Sequence, residues 1–291
     1  MNLSIGILTH RSPVTLYNTF LSYKASGLFD CIDDIFCVIQ PSDKSHQELA
    51  VCSYFDVRSV IESENGMMAW GIKRIFEEAN YDNVLFLESD FRCIVSKEIV
   101  KDMLGYAVKS ISTKEADVIR LRSLKYPGHP IQAKSFIGKE LLDSNNRRQL
   151  YLCTHYLREP EKQFPEHISV VKENPNVYKM SSKHCVYTNN PTIVSKSFYM
   201  KHILPYIQFG KHLEPEIELD WHTKYDHTIY ITQGIFTHIR LDGHEGKNCW
   251  CCPVKYGGIS DRSTCICCQD QIYNPKEFEE TDIFDTLPTI T

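Results

Sequence analysis

Apolar positions along the first 122 residues fall in short runs separated by polar punctuation, and their spacing alternates between the strand and helix periods. Residues 3–8 (LSIGIL) form a nearly continuous apolar run that ends in Thr9-His10-Arg11-Ser12-Pro13, which predicts a strand buried on both faces. Ser12 followed by Pro13 marks a helix start, a capping side chain before a residue whose fixed φ suits the first turn. Tyr17, Phe20, Leu21 and Lys24 then recur at helical spacing. Further strands are predicted at 34–39 (DIFCVI), 57–61 (VRSVI), 83–87 (NVLFL) and 118–121. Between them, Met68, Ile72, Ile75, Phe76 and Ala79 share one helical face. Ser96 caps a second helix whose stripe is Ile99, Met103, Leu104 and Ala107.

The pattern weakens from 123 to about 190, where prolines, tyrosines and charges mix without a defensible long helix, and this stretch is assigned to acceptor binding. Order returns at Ile193 and Val194. A helix from 195 to about 204 is stopped by Pro205, a polar helix covers about 214–224, and strands follow at 228–232 and 235–239. No internal repeat is present. Strands alternating with helices at these intervals predict an α/β fold, a mostly parallel sheet with helices on both faces, whose ligands bind at the carboxyl ends of the strands. The polar loops THRSP, QPSD and ESDF all fall at such ends and should converge on one crevice.

Composition narrows the function classes. With 42% hydrophobic and 24% charged residues the chain is neither disordered nor membrane-like. A formal net charge of -5 argues against nucleic acid as the main partner, since duplex binders displace counterions with a basic surface. The opening MNLSIGILTH lacks a basic leader before a long apolar stretch, so the expectation is no transmembrane segment and a reducing, cytoplasmic location. Of twelve cysteines, six crowd into 249–268. There Cys249 and Cys252, then Cys265 and Cys268, form two CxxC turns, a tetrahedral set for structural Zn2+, with disulfides as the rival reading. Cys251 and Cys267 are extra members that could replace a neighbour.

Glu88-Ser89-Asp90 places two carboxylates two residues apart where a buried strand runs out. In extended chain such positions point to the same side, so both can face one hard cation such as Mn2+ or Mg2+. A solvated turn would present the same pair. Glu64-Asn65-Gly66, Trp70-Gly71 and then VLFLESD resemble the signature of GT-A glycosyltransferases, the family-two type especially, with Glu88-Ser89-Asp90 as a DXD-like motif.

That resemblance implies a Rossmann-like domain over 1–245, its nucleotide-sugar half at 1–122 and its acceptor half at 123–245. A Cys-rich element at 246–275 and an acidic tail at 276–291 follow. It implies a nucleoside-diphosphate sugar donor, UDP-sugar first and GDP or dTDP next, bound by Thr9, His10, Arg11, Gln40, Asp43, Asn65, Gly66, Trp70 and Ser89. Two departures are Glu88 for the usual first Asp, and Gln40-Pro41-Ser42-Asp43 where the family often places a base-contacting Asp. It further implies His238 as a third metal ligand, with His244 as competitor, and a base that deprotonates an acceptor hydroxyl with inversion. Among the acids of 214–220, Asp220 is the expected base and Glu218 its alternative; the same acids could simply favour a helix N-terminus. Other classes are a nucleotidyltransferase, although LTHRSP lacks a glycine-rich phosphate loop, and a non-catalytic zinc-stapled binding module.

Overall fold

The structure, a computed structural model, describes residues 1–124, 126 and 160–241. Among them one sheet of ten strands carries the fold, in the order β3-β2-β1-β4-β9-β6-β10-β8-β7, with β5 paired to β10. The first half is β1 (Leu3–Thr9), β2 (Asp34–Ile39), β3 (Arg58–Ile61) and β4 (Asn83–Glu88), all mutually parallel. In the second half β6 (Val118–Arg122) and β10 (Thr228–His238) continue that direction. Between β4 and β6 stands β9 (Thr192–Ser195), antiparallel to both. The short β5 (Phe91–Cys93), β8 (Asn174–Ser181) and β7 (Ser169–Val171) complete the far side by antiparallel pairing. The expected mixed α/β fold with a mostly parallel central sheet is therefore present.

Helices cover both faces because the central strands are apolar on both. Along β4, Leu85 and Leu87 join the layer packed by α1 (Pro13–Ala25), α3 (Ser45–Tyr54) and α5 (Lys97–Ser112); α2 (Leu28–Cys31) adds a turn there. Val84 and Phe86 join the opposite layer, built by α4 (Met67–Glu78), α7 (Lys196–His202) and α8 (Leu213–Thr223). A one-turn α6 (Pro160–Gln163) precedes β7. Gly6 lets α4 lie against the sheet, since a Cβ there would stand 2.3 Å from the Ile75 side chain.

Three differences from the sequence reading have local causes. The helix α3 escaped notice because only Glu48, Val51 and Cys52 of its residues are buried, and one of them is an acid. The described residues of 123–190 hold α6, β7, β8 and a 3-10 turn at Ser182–His184, short or partly exposed elements that give little apolar periodicity. The two strands expected at 228–232 and 235–239 are one strand bent at Gly234, where φ is +71° and an added Cβ would stand 2.1 Å from the Arg122 carbonyl oxygen. No described helix is long and apolar enough to cross a membrane. Cys249, Cys252, Cys265 and Cys268, together with His244 and the tail at 276–291, lie outside the described residues.

Candidate active site

The carboxyl ends of β1, β4, β6 and β10 meet where the expected acidic pair lies. After β4 ends at Glu88 the chain turns through Ser89 and Asp90 and returns as β5 along the end of β10. That pairing sets Phe91 opposite His238, and the Ile239 amide donates to the Asp90 carbonyl at 2.7 Å. It also puts His238 Nε2 3.1 Å from Asp90 Oδ2, with the imidazole edge-on to the Phe91 ring at 4.8 Å. Asp90 is 3% exposed, and its Oδ1 is buried without a hydrogen-bond partner, as is His238 Nδ1.

The two acids respond oppositely to this setting. Burial raises the Glu88 carboxyl well above its ordinary range, and the charges of Asp90 and Glu214 push it the same way, against the opposing pull of Arg240 and Arg122. Burial also pushes Asp90 up, but His238, by charge and hydrogen bond, and Arg240 outweigh it and hold that carboxyl below its usual value. Ser89 is turned into the protein. Its hydroxyl lies 2.9 Å from that of Ser12, and its carbonyl accepts from the Thr19 hydroxyl at 2.7 Å.

The loop after β1 forms the neighbouring wall. Thr9 is buried and donates to Glu48 Oε1 at 2.6 Å, and the same oxygen accepts from the Ser12 amide at 3.0 Å, so an acid of α3 fixes the start of α1. His10 Nε2 lies 3.1 Å from Asn65 Nδ2, and its pKa is lowered by burial, then by Arg11 and Arg240. Arg11, at φ +54°, forms an exposed ion pair with Asp43 at 3.2 Å. Buried Gln40 donates to the Met67 carbonyl, and Asn65 Oδ1 caps the Met67 amide at 2.9 Å, which shapes the Asn65-Gly66 turn ahead of α4. Trp70 meets Phe209 edge-on at 5.4 Å, with Lys73 Nζ 4.4 Å over its ring, and the Gly210 amide donates to the Gly66 carbonyl.

The third wall is the segment before β9 together with α8. The Asn189 amide donates to Glu214 Oε1 at 2.9 Å, and Asn190 Oδ1 accepts from Arg122 Nη1 at 2.8 Å. Glu214, in the first turn of α8, is thus the acid of that helix whose charge reaches Glu88. Asp220 sits six residues on, about 9 Å further along the axis. It accepts from the Tyr206 hydroxyl at 2.6 Å and pairs with Lys224 at 2.5 Å, and these two hold its pKa down. Glu218 is exposed on the same helix. The structure therefore brings Asp90 and His238 together and couples Glu88 to Asp90 by charge. It leaves Asp220 among Tyr206, Tyr225 and Lys224.

Glu48, Arg122, Asn189 and Asn190 were absent from the sequence reading. Arg122, ending β6 as Glu88 ends β4, was signalled by its place at a strand terminus. Among the described residues no group of three or more His, Cys, Asp or Glu side chains stands ready to hold a metal ion, so the expected Glu88, Asp90 and His238 set appears as a close Asp90–His238 pair electrostatically coupled to Glu88.

No protein-family profile matches the sequence, and no curated protein matches it. Among solved structures, GalNAc-T7 with UDP, GalNAc and Mn2+ superposes with a TM-score of 0.52 at 13% identity, over 85% of this chain and 46% of that one. S. aureus TarS (residues 1–349) gives 0.49 at 15% identity, over 82% of this chain and 60% of that one. The chain spans between about half and three-fifths of those two proteins' lengths. The likeness to GalNAc-T7 shows a shared fold, the GT-A type of α/β arrangement expected from the sequence.

Proposed function

We propose that this chain moves a sugar from a nucleoside-diphosphate donor to a hydroxyl acceptor at the crevice between Glu88, Asp90 and Glu214. One observation carries the reading. A strand pairing sets buried Asp90 against His238 at the carboxyl edge of the sheet and leaves Oδ1 without a partner, beside a second acid whose ionisation the first opposes. A buried carboxylate oxygen with nothing to accept from, next to a like charge, is a donor set that suits a hard divalent cation. Asp90, Glu88 and His238 would hold Mn2+ or Mg2+, and such an ion neutralises negative charge that builds on a departing diphosphate.

The remaining work falls to the chain's own groups. Arg122 and Arg240, whose charges act on Glu88, stand where a diphosphate would bring negative charge. The Thr9-His10-Arg11 loop, Gln40, Asp43 and the Asn65-Gly66 turn form the wall available to base and ribose, and Trp70 extends it toward the rim. Glu214 is the acid placed to take the proton of an acceptor hydroxyl, a role the sequence reading gave to Asp220 or Glu218. The geometry favours Glu214 because Asp220 already serves Lys224 and Tyr206. UDP is the first nucleotide to test, then GDP and dTDP. The zinc assignment for Cys249, Cys252, Cys265 and Cys268 stands on their spacing, and metal analysis of the purified protein should then find one zinc per chain.

Calorimetric titration with UDP, GDP and dTDP, with and without Mn2+, tests the proposal. One nucleotide should bind only with the metal, and Asp90→Ala should abolish that binding. Failure of all three to bind overturns it, and metal-independent capture of a glycan would instead favour a non-catalytic module.

A further inference from the structure

The loop after β1 and the turn after β4 lie far apart in sequence, yet side chains join them inside the protein. Ser89, between the two acids, has its hydroxyl 2.9 Å from that of Ser12, 77 positions away. The Ser12 hydroxyl lies 3.2 Å from Thr9 Oγ1, which donates to Glu48 Oε1 at 2.6 Å. All four residues are buried, and Glu48, on α3, is 0% exposed. Water therefore has little access to compete for these bonds.

The order of donors follows from the proton count. Each hydroxyl carries one proton. Thr9 gives its proton to Glu48, so it accepts from Ser12, and Ser12 in turn accepts from Ser89. All three hydroxyls thus run toward one carboxyl oxygen, and bonds aligned in this way polarise one another. The same oxygen accepts from the Ser12 amide at 3.0 Å. At the other end Ser89 is held at two further points: its amide donates to the Leu8 carbonyl at 2.9 Å, and its carbonyl accepts from the Thr19 hydroxyl at 2.7 Å. Three attachments on one residue fix the backbone directions from which Glu88 and Asp90 project. An apolar residue at position 48 would suit the buried side of α3, but it would leave the Thr9 hydroxyl and the Ser12 amide without this acceptor.

We propose that Glu48 is a positioning residue for the metal turn. Through Thr9, Ser12 and Ser89 it holds that turn in the arrangement a divalent cation requires, and the same carboxyl sets the loop that carries His10 and Arg11. The inference rests on the function proposed above and assigns the relay a part in it: Thr9 and Ser89 serve by holding the site from behind, with their hydroxyls committed to the relay. Glu48 itself touches no ligand and acts on the cation only through the hydroxyls in between.

The test reads Mn2+ binding to the full chain by calorimetry, without nucleotide, together with amide hydrogen exchange of the metal-free protein. Glu48→Ala should raise the Mn2+ Kd by about tenfold or more and speed exchange at both 9–12 and 88–91. Ser12→Ala cuts the relay but leaves Thr9 on Glu48, and it should raise the Kd and loosen 88–91 in the same way. Glu48→Gln keeps an acceptor oxygen for Thr9 and Ser12, so its Kd should return close to the parent value. Val51→Ala removes buried volume from the same helix away from the relay; it should lower Tm and leave both other readouts unchanged. Should Glu48→Ala fail to fold, Ser12→Ala and Glu48→Gln decide. An unchanged Kd or unchanged exchange at 88–91 in Ser12→Ala, or a Val51→Ala protein that reproduces both effects, overturns the proposal. Should the parent bind no Mn2+, the transferase reading falls, and the exchange pattern alone then decides whether the relay reaches the turn.

Discussion

Glu214 and Asp220 share a helix and a chemistry, and their partners separate them. Glu214 receives a single amide and its charge reaches Glu88, whereas Asp220 is tied by Lys224 and the Tyr206 hydroxyl. Glu214→Gln is therefore expected to lower kcat/KM for sugar transfer by about 10²–10⁴ while nucleotide binding persists. Asp220→Asn should keep activity near the parent value; the same steady-state assay reads both. His227 gives a second prediction. Burial, then the charge of His202, lowers its pKa to about 4. The folded state thus holds fewer protons than the unfolded chain between about pH 6.5 and 4, so stability falls as pH drops through that window, by up to about 3 kcal/mol. His227→Phe should flatten the fall, read from denaturation midpoints against pH. At this level the acids Glu88 and Asp90 were readable because their signal is contiguous. Glu48 and Asn190 were not, since each matters through a partner dozens of positions away.

The parallel strands of the first half announced themselves. A strand buried on both faces must be apolar throughout, and β1, β2 and β4 are close to that. The bend in β10 did not, because a lone glycine between apolar runs reads equally as a turn. Its actual role is to let one strand pair first with β8 and then with β5, while β6 stays alongside on both sides of the bend. Gly234→Ala combines an unfavourable φ with a clash against the Arg122 backbone, and it should cost about 2 kcal/mol or more of stability in chemical denaturation. The same change should loosen the β5 pairing that sets His238 against Asp90, so metal-dependent nucleotide binding should weaken with it.

Across the whole molecule, alternation of strands and helices was enough to give the fold class, while strand direction was invisible, since a run such as Ile193-Val194 has the same pattern either way up. The antiparallel β9 is the consequence of that hidden direction. It is the plank that joins β4 to β6, although it is made some seventy positions after β6. A nascent chain that has emerged only as far as Arg122 therefore has two open backbone edges facing each other with nothing between them. A fragment of residues 1–122 should stay unfolded or aggregate, by circular dichroism and light scattering, and the full chain should depend on late synthesis before its core can close. Ribosomes translating this message would be holding an unzipped half-sheet from Arg122 until Thr192 is made.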